Sequence, residues 1–467
     1  MFSPALTLTR ILATMPPRLR VVGADESAGE PLPAGGRPPG GLRRGIAALE
    51  HRNYRYYWYG QIVSLIGTWM QSVSQPWLVL LLGGSPIQLG LVLALQFTPS
   101  LFLAPLGGVL ADRVDKRRAL MVTSVAASLQ ALILFTLTAT GVVQIWHVMV
   151  LATMLGFVSA IEMPVRQSFA AELVPKRDLV NAIALNSASF NLARVVGPAV
   201  AGLALAIFGP AFNFGINAVS YMAVLIGLWR MDPGELHRAE RPEQFDTVRR
   251  SLAQGLRYAI RTPTVLWPLI LLLGMATFGM NFQTLLPLYA RDTLHAGAEG
   301  YGALFAVMGA GSLIGSLGLA FGRRRSLVGL MLGGAAAFVA FELLLGLTRD
   351  PLYAYPLVLV IGLSSMVMVN TINVTVQNSV SNELRGRVMS LYVTVFAGSA
   401  PIGGFLAGSV AELWGAPAGF VLGALLSVLA IGLVAWQLVL RDRARTDASS
   451  AVPAAASDEA ARRVASR

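Results

Sequence analysis

The 467-residue chain contains no cysteine, which excludes disulfides, thiolate metal sites and cysteine nucleophiles. Its four histidines, His51, His147, His237 and His295, are too dispersed to form a metal-ligand motif. Neither a GxSxG nucleophile elbow nor a GxxxxGK[ST] phosphate loop occurs, so nothing in the sequence points to an enzyme or to ATP use. Charge is scarce as well. Asp, Glu, Lys and Arg make up 13% of the residues, about half the share of a typical soluble domain. What fills the chain instead is apolar: 55% of it is hydrophobic and the mean hydropathy is +0.63. The apolar runs have helical length and are rich in Gly, Ala and Leu, the composition of a helical membrane bundle rather than a barrel of short alternating strands.

Residues 1–50 mix Pro, Gly and charge, and read as a disordered cytoplasmic tail without a signal peptide. Residues 441–467 read as a second such tail. Between them the hydropathy predicts twelve spans. Six fall in residues 51–230 and six in 264–440. A hydrophilic linker, 231–263, separates the halves. Within it Val248, Leu252, Leu256 and Ala259 share one helical face, as expected of a helix lying at the headgroups.

Alternate loops and both tails hold 33 of the 36 Lys and Arg. Basic residues stay in the cytoplasm, so both termini are expected inside. This bias accounts for the net charge of +12 without any nucleic-acid partner. The halves also resemble each other. "GTWMQSVSQP" (67–76) parallels "GMNFQTLLP" (279–287), and "RQSFAAELVPKRDLVNAIAL" (166–185) parallels "VQNSVSNELRGRVMSLYV" (376–393). A 6+6 duplication puts a substrate cavity between two halves near the membrane midplane.

Polar residues inside the spans mark candidate sites. On span one Gln61, Ser64, Thr68, Gln71, Ser72 and Gln75 lie within about 100° of arc. Such a stripe faces either a wet cavity or neighbouring helices that accept its hydrogen bonds. The cavity reading takes Ser64, Thr68, Gln71 and Gln75 from this stripe. To these it adds Asn186, Arg194, Asn281, Asn370 and Asn373. Trp69, Trp77 and Phe190 either stack on an aromatic solute or serve as packing and interface anchors. Arg194 is the only arginine inside a span, placed for a charge pair or an anionic ligand. Only two acids, Glu162 and Glu342, fall within the spans, so a proton carrier there is one of them. Glu342 lies about two turns from the outer end of span nine, close enough to snorkel to water. Glu162 is slightly preferred for its polar setting.

Between spans two and three, "GGVLADRVDKRR" (107–118) matches the pattern G-x-x-x-D-[RK]-x-G-[RK]-[RK] at Gly108, Asp112, Arg113, Lys116 and Arg117, with Asp115 in place of the second glycine. With twelve spans and a 6+6 repeat, the chain resembles the major facilitator superfamily over about residues 50–440. "NYRYYWYGQIVSLIGTWMQ" (53–71), "MPVRQ" (163–167), "LVNAIALNSASFNLARVVGPAVAG" (179–202) and "LRGRVMSLY" (384–392) resemble the branch that contains the enterobactin exporter and the bacterial transmembrane secretion effectors. The resemblance implies an all-α fold of twelve transmembrane helices in two six-helix halves, and transport by alternating access. It implies a cytoplasmic gate at Gly108, Asp112, Arg113, Arg117, Glu162 and Arg166, in which Asp112 meets a helix terminus of the other half and Arg113 meets Glu162. "RVVGPAVAG" (194–202) resembles an antiporter motif, carried by Gly197, Pro198 and Gly202.

The expected function is proton-driven export of a siderophore-like or drug-like small molecule from a bacterial cytoplasmic membrane. The rivals are an importer of the same fold and a non-transporting membrane receptor or scaffold. Expected partners are the substrate, protons and the lipid bilayer, with the chain acting as a monomer and requiring neither cofactor nor metal.

Overall fold

Each polar break in the hydropathy profile corresponds to a turn between helices. The computed structural model describes residues 46–237, 248–321 and 326–465, with backbone alone at 104–113, 248–252, 321, 382–383 and 438–465. Among the described residues there is no strand. Spans one to four are Arg52–Leu81, Pro86–Arg113, Lys116–Ala139 and Ile145–Phe169. The next helix, Leu179–Arg230, is 52 residues long, too long for one crossing. It breaks at Gly209, whose φ of 77° and ψ of 175° only glycine adopts readily, giving spans five (179–208) and six (210–230). Its counterpart Asn382–Ala465 breaks at Gly415 (φ 82°, ψ 166°) into spans eleven (382–414) and twelve (from 416). The two breaks occupy corresponding places in the two halves.

Spans eight, nine and ten are Gly297–Phe321, Leu327–Leu347 and Pro351–Asn378. Span seven is discontinuous. Pro263–Gly274 is followed by a widened turn at Met275–Gly279, Met280 and Asn281 leave helical geometry, and Phe282–Leu288 resumes the helix. Among the described residues nine helices are long and apolar enough to cross a membrane, and two of these are the broken pairs. Span one falls outside that group although it has 30 residues, because its polar stripe lowers its hydropathy. Counting it and each broken half gives twelve. Apolar side chains such as Phe102, Val122, Ile207, Val219 and Leu433 cover the outer surface, as a lipid environment permits.

In the linker, Val248–Arg261 is helical. Its Gly255 lies against the Arg387 carbonyl, and the Tyr258 hydroxyl donates to the Ser379 carbonyl at 3.1 Å, so the helix docks on the second half. Ala259 is buried and Leu256 exposed, while the side chains of Val248 and Leu252 lie outside the described residues. The last helix continues to Ala465, where the polar composition of 441–467 had predicted a disordered tail. Alanine and arginine, both strong helix formers, fill that stretch.

The halves meet along two seams, span two with eleven and span five with eight. Here "terminal side" denotes the end of the bundle where span one begins, and "far side" the opposite end. Close cross-half contacts gather on the far side. Gly90 faces Gly404, Gly408 abuts Pro86, and Gly202 abuts Gly302. Trp77 of span one stacks on Tyr301 of span eight with ring centres 5.5 Å apart. The apolar core agrees: Val73, Trp77, Leu89, Leu134, Leu151 and Phe214 of the first half join one cluster with the second half. On the terminal side Tyr54, Tyr57, Phe169, Leu173 and Leu228 form a separate cluster that contains only first-half residues and the first turns of the linker.

Candidate functional site

The span-one stripe pairs with its own half. Gln71 donates to Gln130 of span three at 3.1 Å and accepts from Asn217 of span six at 2.7 Å. Gln75 donates to Gln96 of span two at 3.0 Å, and Asn213 donates to Ser74 at 2.6 Å. Gln71 and Gln75 are 2% and 3% exposed, and Ser64 is buried as well. These side chains are the polar seam of the first bundle, so for Gln71 and Gln75 interhelical bonding replaces the predicted cavity role. The physical reason is local: the stripe faces spans two, three and six, each of which supplies an amide. Thr68 and Ser72 remain accessible, Thr68 lying 3.4 Å from the Tyr221 hydroxyl.

Asn281 also has a structural task. Its side-chain amide donates to the carbonyls of Thr277 and Phe278 at 2.8 and 3.1 Å, satisfying groups released where span seven unwinds. Asn186 accepts from the Tyr54 hydroxyl at 3.1 Å and is half-buried. Asn370 reaches Ser316 at 3.5 Å, Gln377 donates to Asn373 at 2.6 Å, and these three amide side chains of span ten are partly exposed. Arg194 is half-buried beside the seam of spans five and eight.

The basic knot is stitched into the first half. Asp115, where the superfamily pattern has glycine, N-caps span three by accepting from the Arg118 amide at 3.0 Å, so the turn is closed by a cap. Arg117 donates to the carbonyls of Leu228 (2.7 Å) and Trp229 (3.1 Å), capping the end of span six. Among the described residues it makes no cross-half hydrogen bond or ion pair. Lys116 pairs with Glu172 at 2.5 Å. Glu162 pairs with Arg166 one turn along the same helix, and both face Tyr57 and Tyr221. Gly108, Asp112 and Arg113 end span two, and their side chains lie outside the described residues.

The antiporter-like motif builds the far-side seal. A β-carbon on Gly197 would come within 2.5 Å of Trp69 Cβ, and one on Gly202 within 2.7 Å of Gly302 Cα. Gly197 therefore lets span five approach span one, while Gly202 lets the halves touch.

Glu342 does not snorkel. It is fully buried, and among the described residues neither carboxylate oxygen has a hydrogen-bond partner. Its Oε2 and the Ser427 Oγ, also unpartnered, lie 3.2 and 3.0 Å from where a β-carbon on Gly279 would stand. Its Oε1 lies 3.5 Å from the corresponding point on Gly423. The space left by two glycines draws the side chain inward, between the break in span seven and span twelve. Sequence reasoning missed Ser427 and this break; the Gly274–Gly279–Asn281 cluster was the available signal.

On the terminal surface a separate cleft of about 510 Å³, lined by His51, Arg52, Asn53 and Glu235 among others, lies outside the seams. Beside it His51 pairs with Asp178 at 2.8 Å, and this bond holds the Asp178 carboxyl below its ordinary range.

Solved structures of transporters share this fold. A POT family transporter in complex with a thioalcohol-conjugated peptide superposes with a TM-score of 0.67 at 13% identity, covering 84% of this chain and 96% of that one. A bacterial homologue of the human lysosomal transporter Spinster, in an inward-facing and unoccupied conformation, gives 0.62 at 14% identity, covering 85% and 96%. In sequence, the staphyloferrin A transporter of Staphylococcus aureus is 27% identical over 77% of this chain and 90% of its own length. The multidrug efflux pump Tap of Mycobacterium tuberculosis is 28% identical over 81% and 92%. The enterobactin exporter EntS of Escherichia coli is 25% identical over 63% and 70%. The family pattern of the transmembrane secretion effectors matches residues 44–464, and the chain belongs to that family of major facilitator transporters.

Proposed function

We propose that this protein exports a small molecule, siderophore-like or drug-like, from a bacterial cytoplasmic membrane in exchange for protons. Both termini are cytoplasmic in this reading, because the terminal side carries the basic loops. The observation that carries it is the asymmetry of the seams. The far side is sealed by Gly90, Gly202, Gly302 and Gly404 and by the Trp77–Tyr301 stack, while nearer the terminal side Thr68 and Phe190 are exposed and Arg194 is half-buried. With the basic loops inside, this is a state that loads from the cytoplasm. Relatives named as an efflux pump and an enterobactin exporter support the outward direction.

Alternating access then requires the terminal side to close and the far side to part. Asp112 and Arg113 serve as the latch of the closed terminal side, with Gly108 allowing the helices to approach. Arg166 holds Glu162 in reserve. Glu342 becomes the preferred proton carrier over Glu162: a charged carboxylate without partner in an apolar core costs several kcal/mol, and a proton removes that cost. Neutral Glu342 also tolerates its place against the break in span seven, so protonation favours the conformer seen here.

Inverted vesicles acidified inside are expected to accumulate substrate and to lose it when a protonophore is added. Accumulation indifferent to the protonophore would remove proton exchange. Reporter fusions after Pro86, Ala296 and Gly415 are expected to read periplasmic and one after Arg241 cytoplasmic; the reverse pattern would overturn the orientation.

A further inference from the structure

Arg194 sits in the middle of span five, three residues before Gly197 and Pro198, and its carbonyl lies 2.6 Å from where a β-carbon on Gly309 of span eight would stand. It is therefore on the seam between the halves. Among the described residues its guanidinium makes no ion pair and no hydrogen bond, and no charged group acts on it. Neither of the two acids deep within the spans answers it: Glu162 pairs with Arg166, and Glu342 is enclosed in the second half. A cation at this depth without a counter-ion is costly, and in membrane proteins such residues face water-filled cavities or ligands.

The surroundings indicate what it awaits. Helical side chains lean toward the helix N-terminus, so Arg194 extends toward the open terminal side. One turn in that direction Phe190 is 42% exposed and meets the Trp69 ring edge-on at 5.9 Å. Thr68, also exposed, precedes Trp69 on span one. A planar cation beside an accessible aromatic pair suits an oxyanion carried next to a ring.

We propose that Arg194, Phe190 and Trp69 form the cargo subsite, and that it takes small molecules bearing a carboxylate beside an aromatic group. The proposal rests on the transporter reading above and narrows its substrate class. The guanidinium grips the carboxylate through two parallel hydrogen bonds, while the ring packs on Phe190 and Trp69. Cationic solutes are repelled by the same charge. Binding also cancels the charge on the seam, so the loaded protein closes its terminal side more readily than the empty one.

The test uses the full-length protein in nanodiscs of zwitterionic lipid, with 2-naphthoate and its neutral isostere 2-naphthamide as probes. The wild-type protein is expected to bind the carboxylate about tenfold more tightly than the amide, the preference one charge-assisted bidentate pair confers. Arg194→Gln is expected to bring the two within about twofold, and Arg194→Lys to keep part of the preference, since lysine supplies a point charge without the fork. Because the Arg194 guanidinium makes no hydrogen bond or ion pair among the described residues, the Arg194→Gln variant without added ligand is expected to melt no lower than wild type. Equal affinities in wild type, an undiminished preference in Arg194→Gln, or a lowered melting temperature restored by Arg194→Lys without any carboxylate preference would each overturn the subsite. Vesicle transport separates this from the parent reading. Arg194-dependent naphthoate binding without gradient-driven uptake keeps the subsite and removes the transporter. Uptake that neither naphthoate nor Arg194→Gln affects removes the subsite and keeps the transporter.

Discussion

Each buried amide that joins the helices of the first half has at least one partner; in the second half a buried carboxylate has none. In the first half Gln71 pairs with Gln130 and Asn217, Gln75 with Gln96 and Asn213 with Ser74, across four helices, and Glu162 has Arg166, although Gln130 Nε2 and Asn213 Oδ1 are left over. In the second half Glu342 and Ser427 are buried without partners beside a helix that unwinds at Met280 and Asn281. A network in which every side chain is held by at least one partner has few arrangements open to it and resists change. An unpaired carboxylate at a helix break has two arrangements close in energy, according to whether a proton is present. Under the proposed proton exchange, this difference assigns coupling to the second half and makes the first the more constrained wall.

Removing the responsive group is the sharpest way to break this comparison. Glu342→Gln is expected to cut protonophore-sensitive accumulation in inverted vesicles by about tenfold or more, equivalent to at least 1.4 kcal/mol of lost coupling. Glu162→Gln is expected to have the smaller effect, because the wild-type carboxylate is already neutralised by Arg166. A reversed ranking would return the carrier to the first half.

The seams between the halves offer the next largest effect. Gly202→Leu places a side chain where Gly302 Cα now stands, so the far side is expected to open and the terminal side to close. Single cysteines introduced on the terminal half of span five, at Ser187 for example, are then expected to label about threefold more slowly with a membrane-impermeant maleimide. Unchanged labelling would mean the glycine contact does not set the conformer.

A moderate effect is expected from the paired half. Gln71→Leu strands the Gln130 and Asn217 amides, at a cost of about 1–2 kcal/mol, and is expected to lower the melting temperature by about 2–4 °C. Substrate preference is expected to stay unchanged. An altered substrate range at unchanged stability would restore the cavity role assigned to Gln71 from sequence.

The smallest effect lies on the terminal surface. The His51 hydrogen bond depresses the folded-state Asp178 carboxyl, so Asp178 adds stability above the ordinary carboxylate pKa of about 3.9 and loses it as pH falls through the depressed value. Asp178→Asn is expected to lower the melting temperature by about 1 °C at neutral pH, and by less near pH 3, because the pair is partly exposed to solvent. A pH-independent difference would assign the contact to packing alone.

The sequence by itself determined the all-α membrane class, the 6+6 order of helices and the family resemblance. Hydropathy is set by composition, and the polar breaks between apolar runs mark the turns. It also singled out Arg194, Glu162 and Glu342, since ionisable residues are rare in such spans. Only the tertiary structure decided which polar face meets a neighbour and which meets a cavity. Helical periodicity places Gln71 and Thr68 on one stripe, yet Gln71 is enclosed by Gln130 and Asn217 while Thr68 is open. The same holds for Glu342, whose two turns to the membrane surface allowed snorkelling until Gly279 and Gly423 left room for it inside. Partner geometry arises from residues far apart in the chain, and spacing along one helix carries no record of it.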